Sequence, residues 1–224
     1  MKDLEYLLKL DENDLKNELY EYLINMKMNP QKEDGFIYVK GDIPVLLVAH
    51  MDTVCLSTPT NIIYQQELDK IYNPDGILGG DDRCGIYIIL ELLKKYRPYV
   101  LFTEDEEKEC IGAKKAVNKI SIPDVKYIIE FDRRGQNDCV FYECDNKEFI
   151  NYIESFGFKT NYGTYSDILF LGKAWNIATV NLSVGYYNEH TKDEYIVFQE
   201  VIETLKKASN MLDEIENASY YSYH

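Results

Sequence analysis

Between residues 2 and 26 the apolar positions recur at helical spacing, with Leu7, Leu8, Leu15, Leu19 and Tyr20 on one face. That periodicity predicts an amphipathic helix. Asp34-Gly35 marks a turn. Residues 36–39 and 45–49 follow as strands, and the second is apolar at every position. A continuous apolar run of that length suits a strand covered on both faces. Residues 85–93 are apolar almost all round and predict a buried helix. Further strands are expected over 99–102, 125–131 and 177–182, with a helix over 113–117 between the first two. The last long element is an amphipathic helix over 194–215, with Val197, Val201, Leu205, Ala208, Leu212 and Ile215 on one side. Thr191-x-x-Glu194 before it reads as a capping box.

Strands and helices alternate through the middle of the chain. The expected fold class is therefore α/β: a three-layer α/β/α sandwich with a mixed, largely parallel central sheet. Residues 1–224 are expected to form a single domain, with 220–224 as a frayed tail. No repeat or low-complexity block interrupts the pattern.

Composition narrows the function classes. The net charge is −15, which argues against nucleic-acid binding, since that needs clustered Lys and Arg. No apolar run is long enough to span a bilayer, and no membrane partner is expected. The acidic N-terminal residues lack a signal-peptide core, so the expected location is cytoplasmic. Cys55, Cys84, Cys110, Cys139 and Cys144 are odd in number and lack C-x-x-C spacing. Inert thiols are expected rather than disulfides or a cysteine zinc site. Nothing in the pattern predicts an oligomeric state.

The chemistry lies in a few polar residues at the ends of apolar runs. Of three histidines, His224 is terminal, His50 ends the apolar run 45–49, and His190 lies in a loop after the late strand. Either His alone reads best as a satisfied or exposed imidazole. Asp81-Asp82-Arg83 precedes the buried helix, Asp105-Glu106-Glu107 follows one strand, and Asp132 ends another. Each acidic group alone reads as a solvated loop or a helix cap. Their shared position changes that reading. Open α/β sheets bind ligands beyond the carboxyl ends of their strands, so these imidazoles and carboxylates converge on one edge. Unneutralised carboxylates there would repel strongly. Divalent cations relieve that repulsion, and mixed His and carboxylate donors suit zinc, with manganese or cobalt as alternatives. The donors exceed what one tetrahedral ion needs, which favours two ions.

The order His50-x-Asp52, Gly80-Asp81-Asp82-Arg83-x-Gly85, Asp105-Glu106-Glu107, Asp132, His190 resembles the metal-site series of the co-catalytic zinc exopeptidases. That group comprises tripeptidases and carboxypeptidases together with the related aminopeptidases. The likeness runs from about residue 45 to 195. Each motif is short, and their strength lies in the order of all five. The resemblance implies that Asp81 bridges two metals, with His50 and Asp132 completing one site and Glu107 and His190 the other. It implies Glu106 as general base and Asp52 as the group orienting His50. Where relatives often carry Gly two residues after the Glu pair, this chain has Glu109. Relatives with a lid or dimerisation domain insert it after the Asp132 position. Here 57 residues separate Asp132 from His190, too few for that domain. Thr164-Tyr165-Ser166-Asp167 resembles a polar motif near the substrate in relatives, or is a plain turn.

The reaction implied is amide hydrolysis, with Tyr165, Tyr186 and Tyr187 as candidate oxyanion groups. Relatives built from the catalytic domain alone are mostly aminopeptidases, so a short peptide is the expected substrate. Rival readings are a carboxypeptidase, an N-acyl amino acid amidohydrolase with the same metals, a glutaminyl-cyclase-like acyltransferase, or an inactive binding module. The complete donor set and Glu106 argue against the last.

Overall fold

The computed structural model describes residues 1–55 and 57–224. The helices are α1 (Lys2–Leu8), α2 (Glu12–Asn25), α3 (Gly80–Leu93), α4 (Ile111–Lys119), α5 (Lys147–Glu154), α6 (Asp167–Trp175) and α7 (Phe198–Asp213). The strands are β1 (Gln31–Glu33), β2 (Phe36–Val39), β3 (Ile43–His50), β4 (Ile63–Gln65), β5 (Lys70–Tyr72) and β6 (Pro98–Thr103). They continue with β7 (Tyr127–Arg133), β8 (Asp138–Val140), β9 (Lys159–Thr160), β10 (Thr179–Ser183), β11 (Tyr186–Tyr187) and β12 (Tyr195–Val197).

Eight strands form a mixed sheet in the order β1-β2-β6-β3-β7-β10-β8-β9. Its centre, β6-β3-β7-β10, is parallel throughout. Those strands are buried along most of their length, as their near-continuous apolar sequences require. One face is covered by α3 with α1 and α7 beside it, through Leu4, Leu7, Ile86, Ile89, Val201 and Leu212. The other is covered by α4 and α6, through Ala113, Ala116, Ile168 and Leu171. The expected three-layer sandwich is thus the observed one. The chain passes from β3 to β6 on one side of the sheet and then to β7 on the other. Strand order therefore reverses at β3, where open α/β folds place a ligand crevice, and His50 is the last residue of β3.

Four expectations need correction. The N-terminal helix is two helices, because the Asp11 carboxylate caps α2 by accepting from Asp14 N at 2.8 Å. The late helix begins at Phe198 rather than 194, since Tyr195–Val197 pairs with β5. Thr191-x-x-Glu194 is accordingly no capping box: the Thr191 hydroxyl donates to Asn188 O and the Glu194 carboxylate reaches the turn before α3. The tail is not frayed either. Tyr221 donates its N–H to Lys126 O and accepts from Ala178 N, and Tyr223 is 1% exposed. Tyr221 also packs on Phe149 at 5.2 Å between ring centroids. A second sheet, β11-β12-β5-β4, went unpredicted. Its strands are two or three residues long, and β4 is exposed throughout.

A chain ending at residue 219 should lose the Tyr223 burial and the Tyr221 pairing. The expected cost is about 3 kcal/mol, as for truncating a buried aromatic, or a Tm lower by roughly 6–12 °C at this size. An unchanged melting curve would show that the tail adds nothing.

Candidate metal centre

The residues that sequence places at strand ends meet in space. His50 closes β3, Asp81 stands in the first turn of α3, Asp132 lies near the end of β7, and Glu107 follows β6. His190 sits between β11 and β12. Three overlapping clusters have donor atoms within 4.8 Å of one another: His50, Asp81 and Asp132; Asp81, Glu107 and His190; and His50, Glu106 and Glu107.

The Asp81 carboxylate is divided between two of them. Its Oδ1 lies 2.9 Å from His50 Nε2, and its Oδ2 lies 3.2 Å from His190 Nε2. His50 Nε2 is also 3.5 Å from Asp132 Oδ1, and His190 Nε2 is 2.5 Å from Glu107 Oε1. His50 is fully buried whereas the His190 side chain is 45% exposed. The cluster thus runs from the sheet interior to its rim.

Asp52 holds this arrangement from behind. His50 Nδ1 faces the Asp52 carbonyl at 3.1 Å and its carboxylate at 3.3 Å. Both are acceptors, so Nδ1 carries a proton and Nε2 is the atom offered to Asp81 and Asp132. The Asp52 carboxylate also accepts the backbone N–H of Glu106 and of Glu107, each at 3.1 Å.

Proton affinities report the crowding of negative charge. Burial lowers that of His50, but the carboxylates of Asp132, Asp52 and Asp81 outweigh it and hold the imidazole well above its ordinary value. His190 is pushed up to about 11 by hydrogen bonds to Asp81 and Glu107. Burial raises Asp81, yet His190 and His50 pull it below the usual carboxylate range. Asp132 is raised to about 7 by burial and by the Asp81 charge. Glu106 is raised to about 9, by burial first and then by Asp132. Positive charge is what the cluster lacks, and without it the histidines hold protons where their lone pairs face oxygen.

The donor chemistry fits divalent cations. A tetrahedral ion with bonds of about 2.0–2.2 Å sets its donor atoms roughly 3.4 Å apart. The separations of 2.9, 3.2 and 3.5 Å lie within about 0.5 Å of that spacing, while His190 Nε2 and Glu107 Oε1, at 2.5 Å, stand closer together than one ion would set them. Nitrogen and oxygen donors without thiolate suit zinc, manganese or cobalt.

Several residues have supporting roles that the sequence did not assign. Asp82 is joined to Asp81 by a cis peptide; its carboxylate accepts from His50 N at 3.2 Å and from Gly85 N at 2.9 Å. The buried Arg83 guanidinium donates to Met51 O, Leu7 O and Leu10 O. Asn181 pins Asp132 by accepting its N–H at 2.9 Å and donating to its carbonyl at 3.0 Å. A polar residue inside a buried strand was the available signal for Asn181. Of the candidate oxyanion tyrosines, Tyr186 already donates to Asp132 Oδ1 and Tyr187 to Glu200 Oε2, while Tyr165 is 40% exposed. Ser166 and Asp167 are buried at the start of α6, so the stretch 164–167 leads into a helix. The hydroxyl of Ser166 contacts Glu130, and Asp167 accepts from Thr103. All five cysteines are free.

The sequence matches no known protein-family profile and no curated protein. Solved structures do resemble the fold. Aminopeptidase PepT from Bacillus cereus superposes with a TM-score of 0.78 at 14% identity, over 96% of this chain and 97% of that one. A tripeptidase from Staphylococcus aureus gives 0.77 at 13% identity, with 96% and 97% covered. Glutaminyl cyclase from Porphyromonas gingivalis gives 0.66 at 15% identity, with 94% and 95% covered. The chain therefore has the three-layer α/β fold of these peptidases and the cyclase.

Proposed function

We propose that this protein is a two-metal peptidase that removes residues from the free amino terminus of short peptides. The observation that carries the reading is the division of Asp81 between two His-plus-carboxylate clusters, one oxygen to each. His50, Asp81 and Asp132 would hold one cation, and Asp81, Glu107 and His190 the other. Two divalent cations, zinc foremost with manganese or cobalt as alternatives, supply polarisation of a carbonyl and acidification of a water when bound.

The chain's own groups perform the rest. Glu106 takes the proton of the attacking water and returns it to the leaving amine. Asp52 keeps Glu106 usable, because its carboxylate fixes the Glu106 and Glu107 amides and so points adjacent side chains to separate tasks. The Asp52 contacts at His50 Nδ1 keep Nε2 turned into the cluster. Between Asp132 and His190 the chain adds β8, β9 and β10 to the main sheet. That connection supports no covering domain, and His190 stands at an exposed rim, so the site suits a chain end presented from solvent. A carboxypeptidase or N-acyl amino acid amidohydrolase would use the same centre. The likeness to a glutaminyl cyclase favours acyl transfer as a second reading, and the paired clusters favour hydrolysis over it.

Purified protein should bind two divalent ions per chain. Chelation should lower its stability by about 2.7 kcal/mol for each ion held at a hundredfold above its Kd. Calorimetry with and without chelator checks this, and an unchanged melting curve would contradict it.

Glu106→Gln should keep both ions and its fold while turnover falls by roughly two to four powers of ten. Asp81→Ala should lose metal and activity together. Wild-type turnover in Glu106→Gln would remove Glu106 from the base role.

One short peptide in three forms separates the substrate readings: free, acetylated at the N-terminus, and amidated at the C-terminus. Cleavage is expected to survive amidation and to vanish on acetylation. The reverse pattern would transfer the assignment to a carboxypeptidase.

A further inference from the structure

Glu194 is a buried carboxylate outside the three donor clusters, 1% exposed, and it stands four residues beyond His190. Its Oε2 accepts the backbone N–H of Leu78 at 2.9 Å and of Gly79 at 2.8 Å. Its Oε1 accepts the N–H of Asp81 at 3.2 Å. Three N–H groups of one turn thus converge on one anion, the arrangement of a backbone nest. Nests commonly take a ligand; here a side chain from a residue more than 110 positions away fills it.

The turn is shaped for that carboxylate. Gly79 has φ +78°, a conformation that side chains disfavour. A Cβ on Gly80 would lie 2.9 Å from Ile196 Cγ1 and 3.2 Å from Glu194 Oε1. The Gly79-Gly80 pair therefore lets the turn close on β12. Burying a carboxylate is costly unless its oxygens are satisfied, and charge-assisted bonds to N–H groups meet that cost. Glu194 is pushed up to about 7 by burial, against the lowering effect of those N–H groups.

The bond to Asp81 N places Glu194 one residue's backbone away from the shared carboxylate. The same Glu194 belongs to the segment that carries His190. The two segments that must keep Asp81 Oδ2 opposite His190 Nε2 at 3.2 Å are thus joined by one side chain. β12 is held separately by pairing with β5, so the strand does not depend on Glu194 for its place. The turn before α3 does: Leu78, Gly79 and Asp81 direct their N–H groups to it.

We propose that Glu194 is a positioning residue for the cation centre: its carboxylate clamps the Asp81-bearing turn to the His190-bearing segment, keeping Asp81 divided between the two clusters. This inference rests on the two-cation reading above. It assigns Glu194 no contact with substrate.

Co2+ alone serves as the probe, since its absorption reports donor geometry as well as occupancy. Folded, metal-free wild type, Glu194→Ala and Glu194→Gln are titrated with Co2+ against a competing chelator. Glu194→Ala should bind both ions roughly 10–100-fold more weakly, as loss of a group supporting a ligand generally does, and its Co2+ spectrum should change. Glu194→Gln should fall between, because the amide keeps one acceptor oxygen and turns N–H against N–H at the other. Phe149→Leu, in the remote aromatic cluster, calibrates plain destabilisation: a lower Tm with unchanged Co2+ affinity. If the Glu194 variants behave like Phe149→Leu, the clamp has no role in positioning and the inference is overturned. Should Glu194→Ala not fold, Glu194→Gln decides by the same comparison. Wild type that binds no Co2+ overturns the clamp and the two-cation reading together. Wild type that binds two ions yet cleaves no peptide rejects the peptidase reading and leaves the clamp to be judged on affinity.

Discussion

Like charge crowded into little space is the constraint around which this molecule is arranged. Asp81, Asp132, Glu106 and Glu107 lie within a few ångströms of His50 and His190, at the end of four parallel strands. Such carboxylates repel with energies that grow as solvent is excluded. Their proton affinities show it: burial and neighbouring charge raise Asp132 to about 7 and Glu106 to about 9. Protons on the histidines are one remedy, and divalent cations are the other. Only the second leaves the His50 and His190 nitrogens free to act as donors.

The surroundings answer the same constraint with backbone rather than with salt bridges. Asp52 takes the amides of Glu106 and Glu107. Asp82 takes those of His50 and Gly85, and Glu194 those of Leu78, Gly79 and Asp81. Each carboxylate thereby anchors the chain next to a cluster residue without spending a cation. The one buried guanidinium nearby, Arg83, donates to three carbonyls instead and ties α1 and its following loop to Met51. Backbone amides are fixed dipoles that do not reorganise, so a site built on them holds its shape while charge within it changes.

This division explains what could be read in the sequence. His50, Asp81, Glu107, Asp132 and His190 were visible because each ends or adjoins a strand or helix with a strong apolar pattern, and strand ends converge in a parallel sheet. The residues that hold them were hidden. Glu194 meets Asp81 across 113 positions, a contact no local pattern records, and Thr191-x-x-Glu194 imitates a helix cap. Val197 and Val201 keep helical spacing although a strand ends at Val197 and the helix begins only at Phe198. The small sheet was lost because three-residue strands such as Ile63–Gln65, exposed throughout, leave no alternation to detect. Helix α6 went unread because its start, Ser166 and Asp167, looks like turn chemistry. The tail looked frayed because the partners of Tyr221, Lys126 and Ala178, lie far back in the chain.

A second group of acids lies deeper and bears on the first. Glu130 and Asp167 are fully buried, and each has one oxygen without a protein partner among the described residues. Burial raises both, with the Asp132 charge adding to the effect at Glu130; Asp167, which Thr103 and Cys110 pull back down, reaches about 6. The Asp167 charge adds to burial and Asp132 in raising Glu106, against the lowering pull of His50. A proton-accepting group works best when its affinity lies near the working pH. Burial and Asp132 carry Glu106 above that range, and positive charge at the two clusters acts in the opposite direction. In the proposed base role of Glu106, the acidic interior and bound cations would therefore act as two opposed halves of one adjustment of its proton affinity.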